Sequence, residues 1–210
     1  MDPCKPYFVR AVEEHYPDRS THLLAAIDTH YERIAEDTRF AATSANPLDK
    51  RLDFSAYFLA LILTLDGQGE SFQAIRSLCL HIVAEYVRPK NKMQRLLKRL
   101  PARLIGTRPA TALLKVFAGK VGRRAHPDGF VARILTDQKE TLSLGYGFDI
   151  LECGICKLFH KHGYSRYASI LCEVDELTSG FAGLQLVRTS TIALGASKCD
   201  FRFKKVPVTG

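Results

Sequence analysis

The chain has 210 residues and a mass of 23.5 kDa, which is long enough for one globular domain with a sizeable core. Hydrophobic residues make up 46% and charged residues 25%, a composition that excludes a wholly disordered chain. The net charge of +8 is concentrated in residues 88–124, which contain twelve Lys or Arg and no Asp or Glu, so the remainder carries −4. The positive charge therefore indicates a charged partner only for this basic segment, and we do not expect a nucleic-acid-binding protein.

The cysteine content and the first residues bear on the cellular compartment. Six cysteines in a chain of this length do not form the framework of a small disulfide-stabilised protein. Residues 1–6 lack the apolar core and the cleavage site of a secretory signal, and the longest apolar run, residues 56–65, is too short to cross a bilayer. We therefore expect a cytoplasmic protein whose cysteines are free, metal-bound or catalytic.

Apolar residues recur at helical spacing through the first half of the chain. The predicted helices cover residues 20–34, 47–65, 70–87 and 93–104. The third of them ends before Pro89, because the residue preceding a proline disfavours helical backbone.

The pattern changes after about residue 125. Strands are predicted over residues 130–135, from 141–144 through 148–151, over 184–189 and over 199–203, with helices at 153–162 and 167–181. The chain therefore predicts an α+β fold, a helical half followed by a ββααββ antiparallel sheet with helices on one face. We expect residues 1–210 to form a single domain, with a helical half at 1–124 and a cysteine-bearing half at 125–204.

The basic segment 88–124 contains an amphipathic helix. Its apolar stripe consists of Met93, Leu96, Leu97, Leu100 and Leu104. Its basic residues are Lys92, Arg95, Lys98, Arg99 and Arg103. This composition is typical of a helix that lies on an anionic membrane surface, and equally of a helix that packs its leucines into the core and solvates its outer face.

Residues 153–160 carry the most informative spacing in the chain. Cys153, Cys156, Lys157 and His160 stand at i, i+3, i+4 and i+7, so they share one face of the predicted helix. A helix N-terminus and a nearby cation both lower the pKa of a thiol. Cys156 and His160 lie one turn apart, a separation that suits a thiol and its base, so the pattern indicates an activated thiol.

Two other interpretations of the cysteines stay open. Free cysteines are commonly buried as small hydrophobic residues, which would make these thiols structural. Alternatively Cys153, Cys156, Cys172 and Cys199 converge on Zn²⁺, although their spacing matches no common zinc module.

Three charged residues in the second half are further site candidates. Asp175 shares a face of the helix predicted at residues 167–181 with Cys172. Asp175 would orient a base or hold a substrate amine, unless it is only a solvated side chain. Arg188 and Arg202 lie on the closing strands, where either would bind a carboxylate bidentately or form an ordinary salt bridge.

Several spaced motifs in the second half resemble one protein family. Residues 148–159 read FDILECGICKLF, residues 170–176 contain Cys172 followed by Asp175, and residues 195–203 end in Cys-Asp-Phe-Arg-Phe. In this order they resemble the L-2-amino-thiazoline-4-carboxylic acid hydrolase family over residues 125–204. The closing segment also resembles four-vinyl-reductase-like ligand-sensing domains, some of which bind zinc. Here Thr191 stands in the region where such a sensor would offer another cysteine.

The resemblance implies hydrolytic opening of a cyclic amidine, 2-amino-thiazoline-4-carboxylate, toward a carbamoyl-cysteine. As a hypothesis, Cys153 or Cys156 is the nucleophile or activates water, and His160 is the acid or base. Cys172 is a further catalytic candidate. Asp175 would anchor the amidine, and Arg188 or Arg202 the carboxylate. The expected partner is a small carboxylate substrate, and the chemistry needs no cofactor unless zinc is bound. The alternatives are a ligand-binding module without catalysis and a peripheral membrane protein.

Overall fold

The computed structural model describes residues 4–104, 107–137, 139–142 and 146–205. The helices are α1 Lys5–His15, α2 Ser20–Thr38, α3 Arg51–Gly67, α4 Phe72–Val87, α5 Lys92–Leu104, α6 Arg108–Val121, α7 Gly154–Lys161 and α8 Ala168–Phe181. The strands are β1 Val131–Leu135, β2 Gly147–Glu152, β3 Leu184–Val187 and β4 Cys199–Lys205. The predicted α+β fold is confirmed.

Helix α3 forms the centre of the helical half. Eleven of its residues are buried, on all sides of the helix, so it is enclosed by its neighbours rather than presenting one apolar stripe. Helix α2 packs along it and Phe8 of α1 contacts the Tyr57 and Phe58 rings edge-on. The buried cluster continues through α4 and α8 to the sheet, so one apolar core connects the two halves of the chain.

The four strands form one antiparallel sheet in the order β1-β2-β4-β3. Phe148 of β2 pairs with Phe201 of β4, and their rings stack with centroids 4.4 Å apart. Helix α8 packs against β3 and α6 against β1. The pairing of β2 with β4 brings the start of α7, which follows β2, close to the beginning of β4.

Three elements differ from the sequence predictions, and one of them is helix α6, which no predicted helix covered. No strand is present at residues 141–142, because Asp137 begins a turn in which its carbonyl accepts bonds from the Thr141 amide and hydroxyl; residues 143–144 lie outside the described part. Strand β2 therefore begins only at Gly147. Helix α1, with Phe8, Ala11 and Val12 buried, precedes the first predicted element.

A buried polar joint connects the segment before α3 to the first strand. Asn46 and Asp49 are fully buried. The Asn46 side chain donates to the Phe130 carbonyl at 2.8 Å, and Asp49 accepts the Phe130 amide at 2.8 Å and the Ser44 hydroxyl at 2.5 Å. A Cβ at Gly129 would lie 2.8 Å from an Asp49 oxygen, so only glycine allows this close approach.

Removal of the Asp49 carboxylate tests this joint. We expect Asp49→Ala to lower the free energy of unfolding by about 1–3 kcal/mol, because the buried Phe130 amide loses its acceptor. Glu13→Ala, which removes an exposed carboxylate from α1, serves as the control and should change stability by less than about 0.5 kcal/mol. Urea unfolding of both variants measures the difference, and equal stabilities would contradict the assigned role.

Candidate functional site

Cys153 occupies the turn between β2 and α7. Its backbone is extended (φ −104°, ψ 109°), and its carbonyl accepts the Lys157 amide, so it is the N-cap residue of α7. The helix can approach the start of β1 closely because residue 154 is glycine: a Cβ there would meet the Asp128 carbonyl oxygen at 3.0 Å and the Phe130 ring at 3.1 Å. The thiol therefore stands at the positive end of the helix.

The surroundings of Cys153 stabilise its thiolate. The hydrogen bond from the Cys156 thiol contributes most to lowering the Cys153 pKa, and burial opposes it. The amides of Cys156 and Ile155 and the positive charge of Arg51 lower the pKa further. Together the donors and the cation outweigh burial, so the pKa of Cys153 lies below that of an ordinary thiol.

Cys156 is the complementary member of the pair. Its hydrogen bond to Cys153 and its own burial both raise the Cys156 pKa, as does its proximity to Cys153, Cys172 and Cys199. Of the two thiols, Cys153 is therefore the one whose ionisation is favoured and Cys156 the one whose ionisation is disfavoured. The sequence hypothesis left the two cysteines as equal candidates, and their surroundings distinguish them in this respect.

Arg51 reaches Cys153 from the first turn of α3 and is held there by α8. One of its nitrogens lies 2.5 Å from Asp175, and the other Asp175 oxygen accepts from Arg188 at 3.3 Å. Arg188 also donates to the Cys172 carbonyl at 2.9 Å and lies over the Phe201 ring. Sequence reasoning missed Arg51 because no local pattern relates it to partners more than one hundred residues away.

Cys153 and Cys156 open into a cleft of about 440 Å³. The described lining residues are Leu151, Glu152, Cys153, Cys156, Lys157, His160, Ser165, Ala168, Ile192, Ala193, Ala196 and Ser197. The loop that supplies the last four is fixed by Asp200, which accepts the Thr189 and Ser190 amides and both of their hydroxyls. Burial raises the Asp200 pKa, but these bonds outweigh it and lower the pKa to about 2.

His160 and Lys157 both line the cleft but differ in their hydrogen-bond partners. The Lys157 ammonium donates to the Pro127 and Gly129 carbonyls and to the Glu152 carboxylate. The His160 ring lies 3.3 Å from the Ser165 hydroxyl and is exposed. His160 is therefore the group in this lining that is available for proton transfer to a ligand.

Cys172 and Cys199 are close enough to the pair to act electrostatically on Cys156. Burial raises the pKa of Cys172 to about 12. Burial also raises the pKa of Cys199, whose sulfur accepts the Ile192 amide at 3.2 Å. Among the described residues no three His, Cys, Asp or Glu side chains are placed to hold a metal, so the geometry does not fit zinc ligation by Cys153, Cys156, Cys172 and Cys199.

The two arginines proposed as carboxylate ligands both have partners within the protein. Arg188 is 6% exposed and pairs with Asp175, so that both Asp175 oxygens contact guanidinium groups of the protein. Arg202 lies on the face of the sheet opposite to that of Cys199 and Phe201, and one of its guanidinium nitrogens is 2.9 Å from an Asp149 oxygen. Burial raises the Asp149 pKa, but bonds from Lys198, Arg202 and Arg133 outweigh it and lower that pKa. None of these side chains is among the described residues that line the cleft.

The model of the L-2-amino-thiazoline-4-carboxylic acid hydrolase family matches residues 71–203, which is more than half of the chain. The chain therefore belongs to this family, and the resemblance of its second half is confirmed. Neither the curated proteins nor the solved structures contain a significant match to the chain.

The Cys156 thiol can be tested as the donor that stabilises the Cys153 thiolate. We expect Cys156→Ala to move the midpoint of the pH profile of Cys153 alkylation to higher pH, because a hydrogen bond to a charged group contributes about 1.5–3 kcal/mol. This corresponds to a loss of roughly tenfold or more in the thiolate equilibrium. Cys156→Ser keeps a donor and should lie closer to the wild type.

The measurement is reaction with iodoacetamide over a pH series, with the peptide that contains Cys153 quantified by mass spectrometry. Cys172→Ala is the matched control, since it removes a neighbouring thiol that does not bond to Cys153 in the way Cys156 does. Identical profiles for the wild type and Cys156→Ala would show that this hydrogen bond does not set the reactivity.

Proposed function

We propose that this protein is a hydrolase that opens the ring of a small cyclic amidine such as 2-amino-thiazoline-4-carboxylate. Membership of a family named for that hydrolase supports the general class. The observation that carries the proposal is the Cys153 thiol, whose pKa is lowered at the start of α7 and which faces a cleft. The cleft volume of about 440 Å³ suits a small molecule.

In the first step the Cys153 thiolate attacks the amidine carbon, which carries the exocyclic nitrogen, the ring nitrogen and the ring sulfur. A carbon–sulfur bond to Cys153 forms and the bond from that carbon to the ring sulfur breaks. The ring sulfur leaves as a thiolate and takes a proton. Cys156, which keeps its proton beside Cys153, is the nearest thiol that can supply it.

In the second step water attacks the carbon bound to Cys153. His160 lines the same cleft and takes the proton from the water. The carbon–sulfur bond to Cys153 then breaks, Cys153 leaves as the thiolate, and the product is N-carbamoyl-cysteine. Transfer of the proton from His160 to Cys156, which lines the same cleft, restores the starting state. The net reaction adds one water to the substrate, so it requires no oxidant, reductant or cofactor.

Arg51 and Asp175 act as positioning residues in this proposal. Arg51 places a positive charge beside Cys153, and Asp175 fixes the Arg51 guanidinium through the bond at 2.5 Å. Asp175 is assigned this role in place of an amidine anchor, because both of its oxygens contact guanidinium groups. The substrate carboxylate would meet the Ser165 and Ser197 hydroxyls at the rim of the cleft.

Incubation of the purified protein with 2-amino-thiazoline-4-carboxylate tests the proposal. We expect N-carbamoyl-cysteine to accumulate with the wild type, and Cys153→Ser to reduce kcat by at least about a hundredfold, because the hydroxyl is not ionised at neutral pH. Liquid chromatography with mass spectrometry quantifies substrate and product.

Cys172→Ser is the control for this experiment, because the pKa of Cys172 is raised to about 12 and its thiol is protonated at neutral pH. Its kcat should stay close to that of the wild type. Full activity in Cys153→Ser would refute the thiol mechanism, and recovery of the substrate unchanged from the wild-type protein would refute the hydrolase for this substrate and favour a binding module.

A further inference from the structure

Helix α5 is oriented with its apolar face toward solvent. The apolar residues on it are between 42% and 69% exposed. They are Met93, Leu96, Leu97, Leu100 and Leu104, and we refer to them as the leucine face. The sequence left open whether this stripe packs into the core, and the structure shows that it does not.

Among the described residues of α5, the side chains that contact the rest of the protein include two polar ones, Lys98 and Arg99. Lys98 and Arg99 are half-buried, whereas their neighbours on the leucine face are exposed. The Lys98 ammonium donates to the Val87 carbonyl at the end of α4. The Arg99 side chain lies against Gly183, where a Cβ would meet it at 3.4 Å. This arrangement reverses that of a helix on the surface of a globular protein, which buries its apolar stripe.

The segments on either side of α5 also present apolar and basic side chains at the surface. In α6, Leu113 and Val116 are 70% and 62% exposed, although Val121 of the same helix is buried. Before α5, Arg88 and Lys90 join Arg10 in a surface cleft of about 390 Å³, where Glu85 pairs with Arg88. Residues 88–124 contain twelve basic side chains and no acidic one. Exposed leucines are thus combined with a strong positive charge.

Three kinds of partner differ in how well they suit this combination. A second copy of the chain would bring a second segment with twelve positive charges against the first, which opposes association. Nucleic acid would contact the Lys and Arg through phosphates but would leave the leucine face in water. An anionic bilayer satisfies both features, since its headgroups attract the cations and its acyl boundary takes up the leucines.

We propose that α5 docks the protein onto an anionic membrane surface, with the leucine face inserted at the boundary between headgroups and acyl chains. No helix in the described part of the chain has the length and hydropathy of a membrane-spanning segment. The basic side chains at the flanks, such as Lys92 and Arg95, contact the headgroups. Because the attraction is partly electrostatic, salt weakens it.

Flotation with vesicles tests the proposal. The full chain is mixed with vesicles of phosphatidylcholine alone, or of phosphatidylcholine with phosphatidylglycerol, at low and at high salt. We expect flotation with the anionic vesicles at low salt, and the bound fraction to fall at high salt and with phosphatidylcholine alone. The double variant Leu96→Ser/Leu97→Ser should reduce the affinity for anionic vesicles by roughly tenfold or more, because it removes two apolar side chains from the inserted face.

Two matched controls separate the leucine face from general surface effects. Leu194→Ser removes a leucine that is 78% exposed but lies outside the basic segment, and it should float as the wild type does. Lys139→Gln removes an exposed lysine outside the basic segment and should also float as the wild type does. In contrast, Lys92→Gln/Arg95→Gln should weaken binding to the anionic vesicles. Circular dichroism confirms that each variant is folded, which is expected because all the altered side chains are exposed.

The proposal is overturned if the wild type stays unbound with anionic vesicles, or if Leu96→Ser/Leu97→Ser floats as well as the wild type. It is also overturned if size-exclusion chromatography shows a dimer that this double variant converts to monomer, since the leucine face would then be covered by a second copy. Hydrolysis of the amidine is measured separately, so either proposal can fail without the other.

Discussion

Asp175 bonds two guanidinium groups at once, and the arrangement of the cleft depends on that pair of contacts. Arg51 comes from the start of α3, Asp175 from α8 and Arg188 from the end of β3, so one carboxylate joins the helical half to the sheet. Arg188 is almost fully buried. Among the described residues, loss of the carboxylate would leave Arg188 with only the more distant Glu176 carboxylate, 3.7 Å away, and breaking a buried pair typically costs about 3–5 kcal/mol. The same bond holds the Arg51 charge near Cys153.

The positive charge of Arg51 acts on the thiol pair at the start of α7, where it lowers the pKa of Cys153. The Cys156 thiol and two amides donate to Cys153, and Arg51 adds a cation, so the negative charge is favoured on the first sulfur and disfavoured on the second. Two identical side chains thus differ in how readily they ionise, because one is the N-cap residue and the other lies one turn into the helix. Cys172 and Cys199, which burial keeps protonated, have no comparable set of donors.

Local patterns predicted much of this arrangement. Spacing gave the helix that carries Cys153, Cys156 and His160, and alternation gave β4, because both depend on neighbouring residues. The partners of Asp175, Arg188 and Arg202 depend on packing between distant segments, which a spacing cannot reveal. The orientation of α5 was undecided for the same reason: an amphipathic stripe is identical whether it faces a core or a membrane, and only the contacts of Lys98 and Arg99 distinguish the two.

The ultraviolet absorbance of thiolates measures directly whether Cys153 is a stabilised thiolate. Titration of the wild type and of Cys153→Ser over a pH series gives a difference curve for this one sulfur. We expect a midpoint below the ordinary thiol value of about 8.5, and a higher midpoint in Arg51→Gln but not in Arg76→Gln, where an ion pair to Glu173 on α8 is lost instead. A wild-type midpoint at or above the ordinary value would show that Cys153 is not a stabilised thiolate.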